Sequence, residues 1–238
     1  MANTLNLGNI ILPGDQYPSL FGFSIPVVEG LEGAYLFGDG KPQINRNYAP
    51  GKKDATIVGS LVSGNGFATF SENGYLVSGI AEAAEMTILL VSRDSTGQAD
   101  PAPGYIGNNF SLAGGGFVIY GSSGATVLRS NTVREGASDI LNVPGDPTAF
   151  TMQCLRIRNT GNIFTNLTSQ ISVTSTNVKA RTIDSSNSVW IGRIPSPGFK
   201  GLNDQMAALV FSRSITDDEV TKMASWLRAY CLSKGVSL

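Results

Sequence analysis

The chain has 238 residues and a mass of 25.0 kDa, long enough to bury a substantial core and commonly a single domain when all-β. Its formal net charge is −1 and its longest basic run is Lys52-Lys53, so no patch could neutralise several phosphates, and nucleic acid is not an expected partner. Histidine is absent, which removes Ser-His-Asp and Cys-His nucleophilic sites, His-ligated zinc and histidine as a general base. No apolar run approaches the roughly 18 residues of a membrane-spanning helix, and the N-terminus lacks a basic stretch followed by an apolar core. The chain is therefore expected to be soluble, without membrane insertion or a signal peptide.

Residues 1–30 are apolar and broken by Pro and Gly, too hydrophobic for a disordered tail and unfit for a helix. They are expected to form an extended arm against a surface, either of their own domain or of a neighbouring subunit, with Leu20, Phe21, Phe23, Ile25 and Val27 as its anchors. The remainder, 31–238, reads as one β-sandwich. Strand patterns run through Gly33–Phe37, Ala55–Val58 and Phe67–Phe70, and Asn73-Gly74 turns the last of these into Tyr75–Val77 as a hairpin. Met86–Val91 follows.

Residues 94–115 read as a long loop with at most one short strand near Phe110, and loops of that length are often functional. Further strands read at Phe117–Tyr120, Ala125–Arg129, Phe150–Arg158, Asn162–Thr165, Ile171–Thr174, Val189–Ile191 and Met206–Phe211. Within Phe150–Arg158 the apolar phase passes from Met152 and Cys154 to Leu155 and Ile157, which predicts a bulge or a change of partner near Cys154.

The chain ends on a helix over 216–233. Thr216-Asp-Asp-Glu219 is a capping box, Val220, Met223, Ala224, Leu227 and Cys231 recur at helical spacing, and Lys234-Gly235 marks the stop. Cys154 and Cys231 are expected to be buried free thiols, with a disulfide as the alternative; folding in a reducing cytosol fits.

In order, Gly33–Gly40, Asn45–Gly59, Glu85–Arg93 and Ser188–Glu219 resemble the concanavalin A-like lectin/glucanase jelly roll, in the laminin-G-like variety common in bacteriophage virion proteins. The resemblance covers roughly residues 31–235 and implies an all-β, two-sheet antiparallel sandwich with one C-terminal helix. It implies a virion structural protein of tail, fibre, baseplate or capsid decoration, made in the host cytoplasm. Its partners would be other virion proteins, copies of itself and a host surface glycan. A free carbohydrate-binding lectin and a polysaccharide-cleaving enzyme are the alternatives. The Asn162–Thr168 stretch departs from the Tyr-Val-Asp-Gly-like hairpin usual at that place.

Glucanases of this fold align acidic residues on one strand face, and no such run exists here; Glu82 and Glu85 read as a solvated turn. No enzymatic activity is expected. Calcium is a common ligand of related modules, but Asp39, Asn45, Asn47 and Asp54 lack a fixed loop spacing and read as turn residues, so no metal or other cofactor is assigned. Saccharides present apolar C–H faces and hydroxyl edges, which makes Tyr48, Tyr105 and Trp190 the candidate platforms. Tyr105, inside the long loop, is the better candidate of the two for exposure, with burial as its alternative, and Trp190 is expected to pack in the core or face a ligand.

Overall fold

The computed structural model describes residues 24–39, 44–64, 66–97, 101–108, 113–122, 124 and 126–238. Leu20, Phe21, Phe23 and Phe110 lie outside them.

The chain enters at β1 (Leu31–Leu36), crosses to β2 (Thr56–Gly59) and the short β3 (Val62–Ser63), then forms β4 (Ala68–Phe70), β5 (Gly74–Val77) and the long β6 (Met86–Asp94). It continues through β7 (Gly104–Gly107), β8 (Phe117–Tyr120), β9 (Val127–Arg134), β10 (Ala137–Pro144) and β11 (Thr151–Ile157). After β12 (Ile163–Asn166), β13 (Ile171–Thr174), β14 (Trp190–Ile191) and β15 (Asn203–Phe211) comes helix α1 (Asp217–Ser233).

All pairings are antiparallel and they define two sheets. One has eight strands in the order β13-β12-β11-β6-β15-β4-β3, with β1 also on β15; the other has seven, β10-β9-β8-β7-β14-β5-β2. Between them lies the main core, built from Ile88, Leu90, Leu155, Ile157, Ala208 and Val210 on the first sheet facing Leu76, Ile106, Ile119 and Ile191 on the second. The intervening positions Leu89, Val91, Met152, Cys154, Ala207 and Leu209 face the other way, into a second apolar layer completed by Met223, Leu227, Tyr230 and Cys231 of α1. The eight-stranded sheet is thus the middle of three layers, and its strands β6, β11 and β15 are buried on both faces.

Double-sided burial corrects the expected bulge at Cys154. Strand β11 pairs with β6 without interruption from Thr151↔Ser92 to Ile157↔Met86. Met152 and Cys154 serve the helix layer while Leu155 and Ile157 serve the inter-sheet core, so a continuous strand carries apolar residues of both phases.

The Asn73-Gly74 turn forms, with Ser71 and Gly74 exchanging backbone hydrogen bonds, but it joins no hairpin. The chain leaves β4 in the central sheet and enters β5 in the other, where β5 pairs with β2 through Ile57↔Leu76. A turn signal is local and does not decide which sheet receives the following strand.

At the start of the described chain, Ile25 and Val27 pack against the second apolar layer beside Leu31, and the Gly30 carbonyl accepts from the Ser212 amide at 2.8 Å. These two anchors are thereby used within the domain.

Helix α1 starts as the sequence dictates. Thr216 Oγ1 accepts from the Glu219 amide at 3.3 Å and the Glu219 carboxylate accepts from the Thr216 amide at 2.8 Å. Arg213 adds a fork, with Nη1 and Nη2 donating to the two Glu219 oxygens at 2.9 and 2.5 Å. Arg213 and the cap hold the Glu219 carboxyl down at about 2, so its stabilisation is complete above the ordinary carboxyl range and disappears as pH falls from about 4.5 towards 2. Glu219→Ala should cost about 1 to 2 kcal/mol at neutral pH and almost nothing near pH 2. Urea unfolding at both values checks this, and a cost independent of pH would contradict it.

Candidate functional site

The three aromatic residues expected to carry a saccharide are not brought together. Tyr105 lies in β7, which occupies part of the expected loop, and is buried in the core at 1 % exposure rather than exposed. A register irregularity between Gly104 and Ile106 explains this, because the extra residue turns both Tyr105 and Ile106 into the sandwich. Tyr48 is half-buried, lies against the helix-side layer and has the Arg46 guanidinium 5.3 Å above its ring. Trp190 alone stands on the outer face of the seven-stranded sheet. Its strand neighbour Ile191 points into the core, and in register Val77, Trp190, Gly107, Val118 and Asn131 stand opposite one another across five strands. Trp190 stacks on Tyr75 with ring centroids 4.8 Å apart, and Arg193 lies 5.1 Å above the other ring of that pair.

The concave feature of this end of the molecule is a cleft of about 590 Å³ between the 45–56 loop and the 78–83 segment. Its apolar wall is Val77, Ile80, Ala81 and Ala83, and its polar wall is Glu32, Asn47, Lys52, Lys53 and Asp54. Val77 is also the direct cross-strand neighbour of Trp190, so cleft and aromatic stack share a wall.

Asn47 fixes the polar wall. Its Oδ1 accepts from the amides of Ala34 and Ala49 at 2.9 and 3.0 Å, and its Nδ2 donates to the Glu32 and Lys53 carbonyls at 2.9 and 3.2 Å. Asp54 Oδ1 accepts from the Asn47 amide at 2.9 Å, and Asn45 Nδ2 donates to the Ala55 carbonyl at 2.8 Å. These three oxygen-bearing residues are thus occupied in shaping the loop, and among the described residues no group of acidic or cysteine side chains could hold a metal ion. At the rim, Lys52 Nζ pairs with Glu32 Oε2 at 2.6 Å, while Glu32 Oε1 accepts from Ser212 Oγ at 3.1 Å. Beneath lies Tyr35, wholly buried, whose hydroxyl has no hydrogen-bond partner and is raised by burial and by the charge of Asp54. Gly33 lets it lie there: a Cβ at this position would stand 2.7 Å from Ile80 Cδ1 and 2.8 Å from Tyr35 Cε2.

Glu82, read from sequence as part of a solvated turn, is the main correction at this site. Its side chain is fully buried at the back of the cleft and ion-pairs with Arg181, whose side chain is buried too. Glu82 Oε2 accepts from Asn108 Nδ2 at 3.0 Å and from the Asp184 amide at 2.8 Å, and Asn108 Oδ1 accepts from the Phe117 amide at 3.2 Å. Burial pushes the Arg181 guanidinium down to about 10. Nothing in the spacing Glu82-Ala-Ala-Glu85 announces such a partner, because Arg181 lies far along the chain. Glu85, the other member of that turn, accepts from the Asn159 amide at 3.0 Å.

Two antiparallel sheets with a helix layer on one of them define a two-sheet β-sandwich closed by one C-terminal helix. Solved structures with this fold include the binding domain of botulinum neurotoxin DC in complex with rat synaptotagmin II, with a TM-score of 0.60 at 10 % identity. Botulinum neurotoxin type C, whose cell entry depends upon interaction with two ganglioside molecules, matches with a TM-score of 0.58 at 10 % identity. The binding domain of Paraclostridial Mosquitocidal Protein 1 matches with a TM-score of 0.59 at 9 % identity. The match covers 83 to 84 % of this chain but only 51 to 52 % of those chains, and at such identities it establishes the fold. No protein-family model and no curated protein sequence matches this chain. Among the described residues no helix is long and apolar enough to cross a membrane.

The Glu82–Arg181 pair gives this region a measurable signature. Glu82→Gln leaves a guanidinium buried without its counter-charge and should cost about 3 to 5 kcal/mol, whereas Glu82→Leu combined with Arg181→Met should recover most of that loss. Denaturant midpoints of the three proteins decide it, and a single-variant loss below about 1 kcal/mol would show that the pair is not desolvated.

Proposed function

We propose that this chain is a non-enzymatic, lectin-like recognition module that takes a saccharide unit of a host surface glycan in the cleft beside Val77, and that it serves as a structural component of a bacteriophage virion. The observation that carries the recognition role is the cleft itself. It sets an apolar wall of Val77, Ile80, Ala81 and Ala83 against ammonium, carboxylate and amide groups on a loop fixed by Asn47. A pyranose ring needs this pairing, an apolar surface for its C–H face and convergent charged donors and acceptors for its hydroxyl edge. Receptor-binding domains among the similar folds support a binding rather than a catalytic role. The virion setting rests on the resemblance of residues 31–235 to phage laminin-G-like modules.

Lys53→Ala and Asp54→Asn remove one charge each while sparing the core, and Asn at 54 keeps an acceptor for the Asn47 amide. Each should weaken binding on a glycan panel at least about tenfold, as expected for a charge-assisted hydrogen bond, with the melting temperature unchanged. Undiminished binding in both variants would place the glycan elsewhere, and release of reducing ends from any panel member would overturn the non-enzymatic reading.

The arm anchors Leu20, Phe21 and Phe23 fit a contact with other virion proteins or with copies of this chain, because three large apolar side chains within four residues need a surface to cover them. Deleting residues 1–23, which spares Ile25 and Val27, should leave a cooperatively folded sandwich that sediments as a monomer and fails to enter particles. A full-length chain that is itself monomeric and absent from particles would refute the assembly role.

A further inference from the structure

Across the outer face of the seven-stranded sheet, beginning beside the cleft wall at Val77 and extending beyond it, runs a chain of aromatic and cationic groups. Gly104 makes room for it: a Cβ there would stand 2.8 Å from Ile194 Cγ1, so the 193–200 loop can lie directly on the sheet. At one end of the loop Arg193 covers Tyr75, which stacks on Trp190. At the other end Phe199 meets Tyr120 edge-on at 5.0 Å, and Tyr120 pairs in register with Arg129, whose guanidinium lies beside the Tyr120 hydroxyl. Glu72 ties the middle, accepting from Lys200 Nζ at 2.7 Å with its carboxylate and from Arg193 Nη1 at 2.8 Å with its backbone carbonyl.

Two features of this strip are unexplained by folding. The Nε–H groups of Arg129 and Arg193 are buried and have no acceptor, and Asn131 Oδ1, two residues along β9 from Arg129 on the same face, is likewise buried without a donor. A desolvated guanidinium N–H without an acceptor is costly, and it holds the rest of each guanidinium close against the sheet. Charge adds to this. Arg193 and Lys200 share one carboxylate, Glu72, which Lys200 already holds below the usual carboxylate range, while Arg129 adds a third cation beside the Tyr120 hydroxyl.

We infer that this strip is a second binding surface, separate from the cleft, that takes an acidic saccharide, with its carboxylates on the Arg129 and Arg193 guanidinium groups and its rings against Trp190, Phe199 and Tyr120. A guanidinium fork matches a carboxylate in geometry as well as charge, and half-exposed aromatic rings cover the apolar faces of the sugar. The spread of the cationic groups along the strip suits an oligomer with a carboxylate on successive rings better than a single sugar.

The test compares tetragalacturonate with its carboxyl-reduced, uncharged counterpart by titration calorimetry on the full chain. The acidic oligomer should bind at least about tenfold more tightly and lose affinity as salt is raised from about 0.05 to 0.5 M, because exposed charge pairs are screened. Arg129→Gln and Arg193→Lys should each lower its affinity about tenfold; Lys at 193 keeps the charge and loses the fork. Lys53→Ala, in the cleft, should leave it unchanged, so failure of the strip and failure of the cleft remain distinguishable. Amide and indole shifts of the unaltered protein on titration should centre on Trp190 and Phe199, a readout independent of whether any variant folds. Equal binding of the two oligomers, no binding of the acidic one, or shifts confined to the cleft would each overturn the assignment.

Discussion

The burial of the eight-stranded sheet on both faces is the constraint from which the rest of this structure follows. Strands β6, β11 and β15 place alternate residues in two separate apolar layers, and neither layer closes without the other element that covers it. The helix is therefore structural: removing it would bare Leu89, Val91, Met152, Cys154 and Leu209 together. Polar connections fix its approach. Thr87 Oγ1 donates to the Arg213 carbonyl and accepts from the Ile215 amide, both at 3.0 Å, and Arg156 pairs with Asp217 at the first turn.

The seven-stranded sheet is closed differently at its β9–β10 end, by buried charge. Arg134, with no exposed surface, donates to the Lys179 carbonyl and to Asn162 Oδ1 at 2.7 and 2.8 Å, with Asp139 3.4 Å from its Nε. Asn162 in turn donates to Thr132 and Asp139, and Ser175 donates to Asp139. This network joins the β9–β10 hairpin of one sheet to the β12–β13 region of the other, as Glu82 and Arg181 join the 78–83 segment to the 180–188 loop. Each charge is desolvated and paired, so either partner alone would be a liability. Such pairs fix position more than they add net stability; the first lies at the centre of its network and the second forms the back of the cleft.

Legibility in the sequence follows the range of the interaction. The capping box at Thr216 and the apolar stripe of α1 were readable because both are formed within a few residues, and only Tyr230, whose hydroxyl accepts from the distant Gly38 amide, escaped the pattern. The two-sheet class was readable from many short alternating runs. What failed depended on partners remote in the chain. The β4–β5 link looked like a hairpin because a turn does not specify a sheet. Strand β10 went unread although Leu141 and Val143 alternate inward, because the next inward position is Asp139, which is tolerable only with Arg134 and Asn162. Tyr105 was misplaced because a bulge is not visible in composition, and Glu82 because its counter-ion lies near residue 180. Trp190 was readable only as a choice between core and surface, which the register with Val77 resolved.

Where a ligand can bind is constrained by the same layering. In many two-sheet sandwiches either outer face is available, but here one outer face is consumed by α1 and the residues around Val27 and Leu31. The surface left open is the outer face of the seven-stranded sheet and the loops at its ends. The aromatic, cationic strip belongs to that sheet, whereas the polar cleft spans from it to the eight-stranded sheet, being lined by Val77 of β5 as well as by Glu32 of β1 and Ser212 after β15. The middle sheet separates the outer strip from the helix layer, whereas the 45–56 loop of the cleft packs on that layer through Tyr48 and Ala49.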